Sequence, residues 1–591
     1  MPIDSVWRIF DNELFEQRPG LTAAERHRLT YERLRHVNAA IGSGAALLID
    51  RARMNALFAA AAVVDPVLFH AMILHYPLCL GFVTDLGAGN PETADCLSRL
   101  EKMDSVGVLL LTEAGRSGSH LATATEAIYD HDGRRFILHT PEPAAAKFPA
   151  AADSATPKTA VVFARLRVDG RDGGVFPFHL DVRTDEGVRA GVAIEPTEEA
   201  TGLPHDYATV TFDHVPVPYG HWLRGEAAID EHGTFTDPEG SIAGRLRRSL
   251  AMSRPVWRAI VAASAGISRA AVTMALRYSY RRTTAGPLAP DSPVIAFRNQ
   301  QLALFAALAD SVALTVITER FEQPDIAAAR TGDTGMGWAP WSAVDLELPL
   351  LKATAVDTAL NLVGTCRARC GAMASVATNR YTAYHGLLDA YVSAGGDNQL
   401  ILLDTARTMI ADGDHPAPDT ADVDITEPQG WLLLATATEN RLRTSLAAGL
   451  NAARGRGEDE FTAWNDHLDL ALRAATAYAD RVVLQAFTDA VQAADPADRE
   501  GMSRLAAFHA CTWIDRRAGE ILRTGAGTPD QVKAAGHARL RLADALVETA
   551  LATVDAFAIP PRHLSPILAG EGDYLEILLG GRRTAAPAPP A

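Results

Sequence analysis

Cysteine is scarce in this chain, five in 591 residues. That is too few for a disulfide framework, so the composition predicts a reducing compartment, here the cytoplasm. Cys366 and Cys370 lie four apart, one helical turn. With no second Cys or His pair beside them, they are expected as buried small hydrophobes rather than metal ligands. Basic clusters are lacking as well. A net charge of −17 argues against a phosphate-backbone binder, and no nucleic-acid partner is expected. Met1-Pro-Ile-Asp has no basic start followed by an apolar run, so no secretory signal is predicted. No run of about 20 apolar residues is free of charge, which predicts no membrane span and no membrane partner. The end, Ala585-Ala-Pro-Ala-Pro-Pro-Ala591, reads as a disordered tail without a peroxisomal address. Internal repeats are also missing.

What is present is ordinary globular material, 48% apolar and 21% charged, in a length that predicts about three or four domains. Residues 1–110 read as a helical domain. Thr22 is placed to cap a helix, and Ala45 to Val64 is Ala/Leu-rich with helical spacing. Composition then shifts to short β-branched and aromatic runs over 111–235, with Asp132-Gly133 marking a hairpin. From 236 to 415 long Ala-rich helices return. A Pro/Asp-rich linker, Asp412 to Thr420, precedes a second helical domain at 425–580.

Five stretches carry a resemblance. Leu111-Thr-Glu-Ala-Gly-Arg-Ser-Gly-Ser119 opens the β-domain, and Lys147-Phe-Pro-Ala150 lies within it. Arg277-Tyr-Ser-Tyr-Arg-Arg-Thr-Thr-Ala-Gly286 ends a helix and is followed by Phe297-Arg-Asn-Gln-Gln301. Cys366-Arg-Ala-Arg-Cys-Gly-Ala-Met-Ala-Ser375 and Ala394-Gly-Gly-Asp-Asn398 come last. In this order they resemble the hallmark motifs of the acyl-CoA oxidase and acyl-CoA dehydrogenase family, oxidase type. The domain order is that of the oxidases, because the dehydrogenases lack the last helical piece. The resemblance implies an α+β, mostly α fold: an N-terminal helical domain, a central β-domain, a helical bundle and a second C-terminal helical domain.

It also implies FAD as cofactor, an acyl thioester substrate, a role in fatty acid or secondary metabolism, and a homodimer with FAD near the subunit interface. A local basic pocket for a CoA phosphate is compatible with the overall charge. Carried over residue by residue, Thr112 and Gly115 would meet the flavin edge. Phe148 and Ala150 would stand where the family has Trp and Gly. Arg282, assisted by Thr284, would pair with the FAD pyrophosphate of a neighbouring subunit, Gln300 and Gln301 would touch the cofactor or cap helices, and Gly371, Asp397 and Asn398 would form the turns beside the cofactor. Asn398 is further expected to cap the helix that follows it. Ala150, Ala372 and Ala374 replace glycines where backbone approaches the cofactor, a substitution expected to crowd it.

The family's α-proton base is a Glu in the last motif, and here that position is Gly395. General-base help is typically worth about 10²–10⁴ in rate, so the absence bears directly on activity. No carboxylate lies in Met252 to Arg258, where some relatives carry the base. Asp389 is a weak substitute, and His385 lies on the approach to the site. Three readings stay open. The favoured one is an FAD-dependent acyl-CoA oxidase-like oxidoreductase with a non-standard base. The alternatives are a flavin-dependent monooxygenase on the same fold, and a non-redox, FAD-free member acting as a divergent enzyme or partner subunit.

Overall fold

The computed structural model describes residues 3–18, 20–322, 337–338, 344–413, 415–570 and 574–579. The tail expected at 585–591 lies outside them.

The chain opens with helices whose starts are chemically fixed. Thr22 forms a reciprocal capping box with Glu25 at the head of Ala23–Ile41. The Ala45–Val64 stretch is two helices, because Asp50 breaks it and caps Arg51–Val64. Asp65 then caps Pro66–Ile73 through the N–H groups of Val67 and Leu68.

The β-domain begins at Val106, a few residues before the expected boundary. Its strands are β1 (Val106–Leu110), β2 (Glu126–Asp130), β3 (Arg135–His139), β4 (Lys147–Ala151), β5 (Lys158–Val168), β6 (Arg171–Thr184), β7 (Gly187–Val188), β8 (Val192–Pro196), β9 (Tyr207–Phe212) and β10 (Val215–Pro218). One sheet runs β10-β3-β2-β5-β6-β7 with β1 parallel to β5, and a second runs β4-β9-β8. The Asp132-Gly133 turn joins β2 to β3 as an antiparallel hairpin. Phe136, Phe176, Phe178 and Trp222 fill the core between the sheets.

The bundle follows with Ser253–Arg281, Arg298–Arg320, Glu347–Cys370, Tyr381–Ser393 and Asn398–Ala411. Its first helix buries almost every face, which explains its apolar, Ala-rich sequence. Three helices, Pro66–Leu86, Ser253–Arg281 and Arg298–Arg320, are in fact long and apolar enough to cross a membrane. This corrects the expectation that none is. Their apolar windows are 72%, 94% and 78% buried inside the fold, so packing within the protein already accounts for that character. Helices from Pro428–Gly455 to Pro529–Asp555 form the second helical region. Asp310 of the bundle ties it down, accepting from His509 (2.9 Å) and Arg516 (2.9 Å). All five cysteines are free and buried.

Candidate functional site

The loop after Tyr381–Ser393 is where the missing carboxylate belongs. Gly395 and Gly396 have φ of +69° and +92°, a region L-residues seldom adopt. The Gly395 carbonyl accepts from the indole N–H of Trp257 at 2.7 Å. A Cβ at 395 would stand 2.9 Å from Ile260 Cδ1, 3.8 Å from Lys352 Cε and 3.9 Å from Val256 Cγ1. The space a side chain would enter is therefore occupied from the first bundle helix. Asp397, not Asn398, caps Asn398–Ala411, accepting from the N–H groups of Gln399 and Leu400. This corrects the expectation for Asn398, whose amide instead faces inward. Its Oδ1 accepts from Lys352 Nζ at 2.9 Å and its Nδ2 donates to Asp357 at 2.9 Å. Lys352 also donates to the Gly396 carbonyl at 2.8 Å.

Sequence reasoning missed Lys352. The signal was one cation inside Leu348-Pro-Leu-Leu-Lys-Ala353, an otherwise apolar run on a buried helix. Burial pulls its amine down to about 7, against the opposing pull of Asp357 and Asp397. Burial also raises the Asp357 carboxyl.

At the β-domain end, Thr112 follows β1 and is half-buried. Its carbonyl accepts from Phe148 N–H at 3.0 Å, and the Ala114 and Gly115 N–H groups reach Ala146 and Ala144. A Cβ at Gly115 would lie 2.6 Å from that of Ala144, so the neighbouring segment alone requires this glycine. Glu113 anchors the turn from inside. It accepts from Ala124 and Thr125 N–H and from Lys147 Nζ at 3.0 Å. Burial opposes its charge, but Lys147 and these donors hold its carboxyl below the ordinary range. Phe148 is exposed, whereas Ala150 is wholly enclosed in the β-domain core with Ala151 and Ala152. The Ala150 methyl thus packs inward, and the crowding expected of it does not arise from an exposed methyl.

The phosphate end gathers on the bundle. Arg282 closes Ser253–Arg281 and is half-buried, with no hydrogen-bond or ion-pair partner for its guanidinium among the described residues. It lies close enough to Tyr278 and Cys370 to act on their acidity. Thr284 sits in the adjoining hairpin, Thr283–Gly286 with Ala289–Pro293. Gln300 is committed to structure, donating to Ser279 Oγ (3.0 Å) and the Arg369 carbonyl (3.2 Å). Gln301 keeps a buried Oε1 without a partner. Gly371 has φ +63° and open space where a Cβ would be. Ala372 is exposed and Ala374 buried. An unpaired, half-buried guanidinium beside an open glycine turn fits a diphosphate group. A cavity of about 860 Å³ reaches this end at Asn299 and Arg369 and continues between the bundle and the second helical region. Asp389 and His385 are exposed on their helix.

Comparison with known proteins decides the family. The family models described as acyl-CoA oxidase, C-alpha1 domain and acyl-CoA oxidase match residues 255–410 and 432–574. Human peroxisomal acyl-coenzyme A oxidase 3 is 26% identical over 537 residues, covering 83% of this chain and 76% of the relative. The chain belongs to the acyl-CoA oxidase family. It is an acyl-CoA oxidase-like flavoenzyme, as the ordered motifs implied. Acyl-CoA oxidase 1 of Arabidopsis thaliana shares the fold at TM-score 0.83 and 21% identity, covering 98% of this chain and 91% of that one. So does acyl-CoA oxidase-2 of Caenorhabditis elegans, bound with FAD, ascaroside-CoA and ATP, at TM-score 0.82 and 18% identity, covering 99% and 92%. The cytoplasmic expectation is corrected. The human relative and several from Arabidopsis are named as peroxisomal, which speaks against it. The inference from few cysteines failed because a low cysteine count does not single out the cytoplasm.

Proposed function

We propose that this acyl-CoA oxidase family member is an FAD-dependent oxidoreductase that acts on an acyl thioester with a proton acceptor other than the usual carboxylate. The observation that carries the reading is the unpaired, half-buried Arg282, close enough to act on Cys370 just before the open Gly371 turn, joined to a glycine loop at 395–396 held by Trp257 and Lys352. Arg282, Thr284 and the Gln301 amide would hold the diphosphate end of FAD. Thr112 and Phe148 would flank the ring. When bound, FAD supplies the hydride acceptor.

The chain's own residues supply position and dryness. Trp257 fixes the Gly395 carbonyl, while Val256 and Ile260 line the space beside residue 395 with apolar surface. Enclosure strengthens polar contacts to the thioester and leaves proton removal to whichever base lies within reach. A homodimer with the cofactor near the subunit interface belongs to the same reading.

Anaerobic mixing with saturated acyl-CoA thioesters tests it. The expected result is loss of flavin absorbance, with peroxide on readmission of oxygen. A flavin-loaded protein inert to every thioester but oxygenating a substrate with a separate flavin reductase would favour a monooxygenase instead. A protein that takes up no FAD would end both.

A further inference from the structure

The chain carries five lysines among its 55 Lys and Arg residues. Its positive charge is almost entirely arginine, yet three of the five lysines, Lys147, Lys158 and Lys352, have 0% exposure. Two are explained by buried ion pairs, Lys147 with Glu113 and Lys158 with Asp206, each at 3.0 Å. Lys352 has no carboxylate at ion-pair distance among the described residues. Its two hydrogen-bond partners are neutral oxygens, the Gly396 carbonyl and Asn398 Oδ1.

A neutral amine has two N–H donors, and both are used here, leaving the lone pair uncommitted. An ammonium would bury a third N–H, and a full charge, without a partner. This environment therefore selects the free base. Its position matters as much. The Lys352 Cε lies 3.8 Å from where the side chain of residue 395 would begin, so the lysine stands against the point from which the family's carboxylate would depart.

We propose that the amine of Lys352 is the proton acceptor that stands in for the carboxylate missing at position 395. This rests on the reading of the chain as a thioester-oxidising flavoenzyme. In the step, the α C–H bond of the thioester breaks and the proton passes to Nζ, forming an ammonium. The electron pair remains as the thioester enolate. No oxidant enters this half-reaction, so it can be followed without redox turnover.

The charged groups acting on the amine are Asp357 on its own helix and Asp397 at the head of the next. The first bundle helix brings Val256, Trp257 and Ile260 to this loop, and none of the three titrates. The amine's lowered basicity suits its role, since an acceptor works best when its pKa lies near the working pH.

Three measurements on the full chain test the proposal. Butyryl-, octanoyl- and palmitoyl-CoA are incubated anaerobically in D2O, and α-deuteration is read by mass spectrometry. Wild type is expected to exchange, with Lys352→Met and Lys352→Arg slower by about 10²–10⁴-fold. Asp357→Asn, which removes the anion that supports protonation, is expected to move the acidic limb of the exchange profile to lower pH.

The third readout needs neither cofactor nor substrate. The folded amine gives up its proton near 7, whereas an unfolded lysine keeps it to about 10.4. The unfolded chain thus binds the extra proton between these values, and stability rises with pH across that window. Lys352→Met should flatten that rise relative to wild type. A folded Lys352→Met or Lys352→Arg that exchanges as fast as wild type overturns the proposal. So does an unchanged pH slope, or a profile unmoved by Asp357→Asn should the Lys352 variants fail to fold. Wild type lacking flavin overturns the underlying reading. Flavin-loaded wild type that neither exchanges nor is bleached overturns both.

Discussion

At the scale of single residues, the site is altered by more than one deletion. Restoring the family's carboxylate with Gly395→Glu is not expected to restore ordinary activity, because the backbone is left-handed there and Ile260 Cδ1 lies 2.9 Å from the new Cβ. Overpacking typically costs about 1–3 kcal/mol, and the left-handed conformation about 1–2 kcal/mol more. Gly395→Glu should therefore lower the denaturant midpoint. Adding Ile260→Ala should recover the steric part but not the backbone part. Equal stability of Gly395→Glu and wild type in urea unfolding would show that the loop yields freely. Arg282 is the other residue with a specific expectation. Removing a charge-assisted diphosphate contact should weaken FAD binding in Arg282→Ala by about 1.5–3 kcal/mol, roughly 10- to 150-fold, with little change in unfolding.

At the scale of elements, the turn after β1 depends on one buried ion pair. Glu113→Gln would leave Lys147 buried and unmatched, at a cost of about 3–5 kcal/mol, measurable by chemical denaturation. Because the Glu113 carboxyl is held below its unfolded value, its stabilising contribution is complete above the unfolded pKa. That contribution disappears as pH falls through the lower, folded value. Glu113→Gln should accordingly remove part of the acid sensitivity of wild type.

Much at this scale was legible in the sequence. Thr22 caps its helix as expected, and Asp132-Gly133 makes the hairpin. Those features are local, set by residues three or four apart. Asn398 was misread because Asp397 beside it is an equally good cap, and only the tertiary position of Lys352, 46 residues away, turns the amide inward. The enclosure of Ala150 and the plug of Ile260 at Gly395 are likewise long-range facts with no local signature. A motif can be matched residue by residue while the direction its side chains face stays hidden.

At the scale of the whole molecule, the bundle and the second helical region are joined by polar as well as apolar contacts. Asp310 is buried in the bundle and receives His509 and Arg516 from the other region. Burial opposes its charge, yet the Arg516 guanidinium and the hydrogen bond from His509 keep its carboxyl low. Asp310→Ala should cost about 1.5–3 kcal/mol and loosen the second region first, seen as faster amide exchange in Pro496–Arg516. The domain order, helices then sheets then two helical regions, followed from composition shifts along the chain. The compartment did not, because a low cysteine count signals a reducing environment without naming which one.

FAD binding by the purified chain tests the central claim most directly, because every proposed role depends on a retained cofactor. Titration of the flavin-stripped protein should show one FAD bound per chain, a flavin spectrum shifted from that of free cofactor, and weaker binding in Arg282→Ala. A folded protein that leaves added FAD unbound would contradict the account.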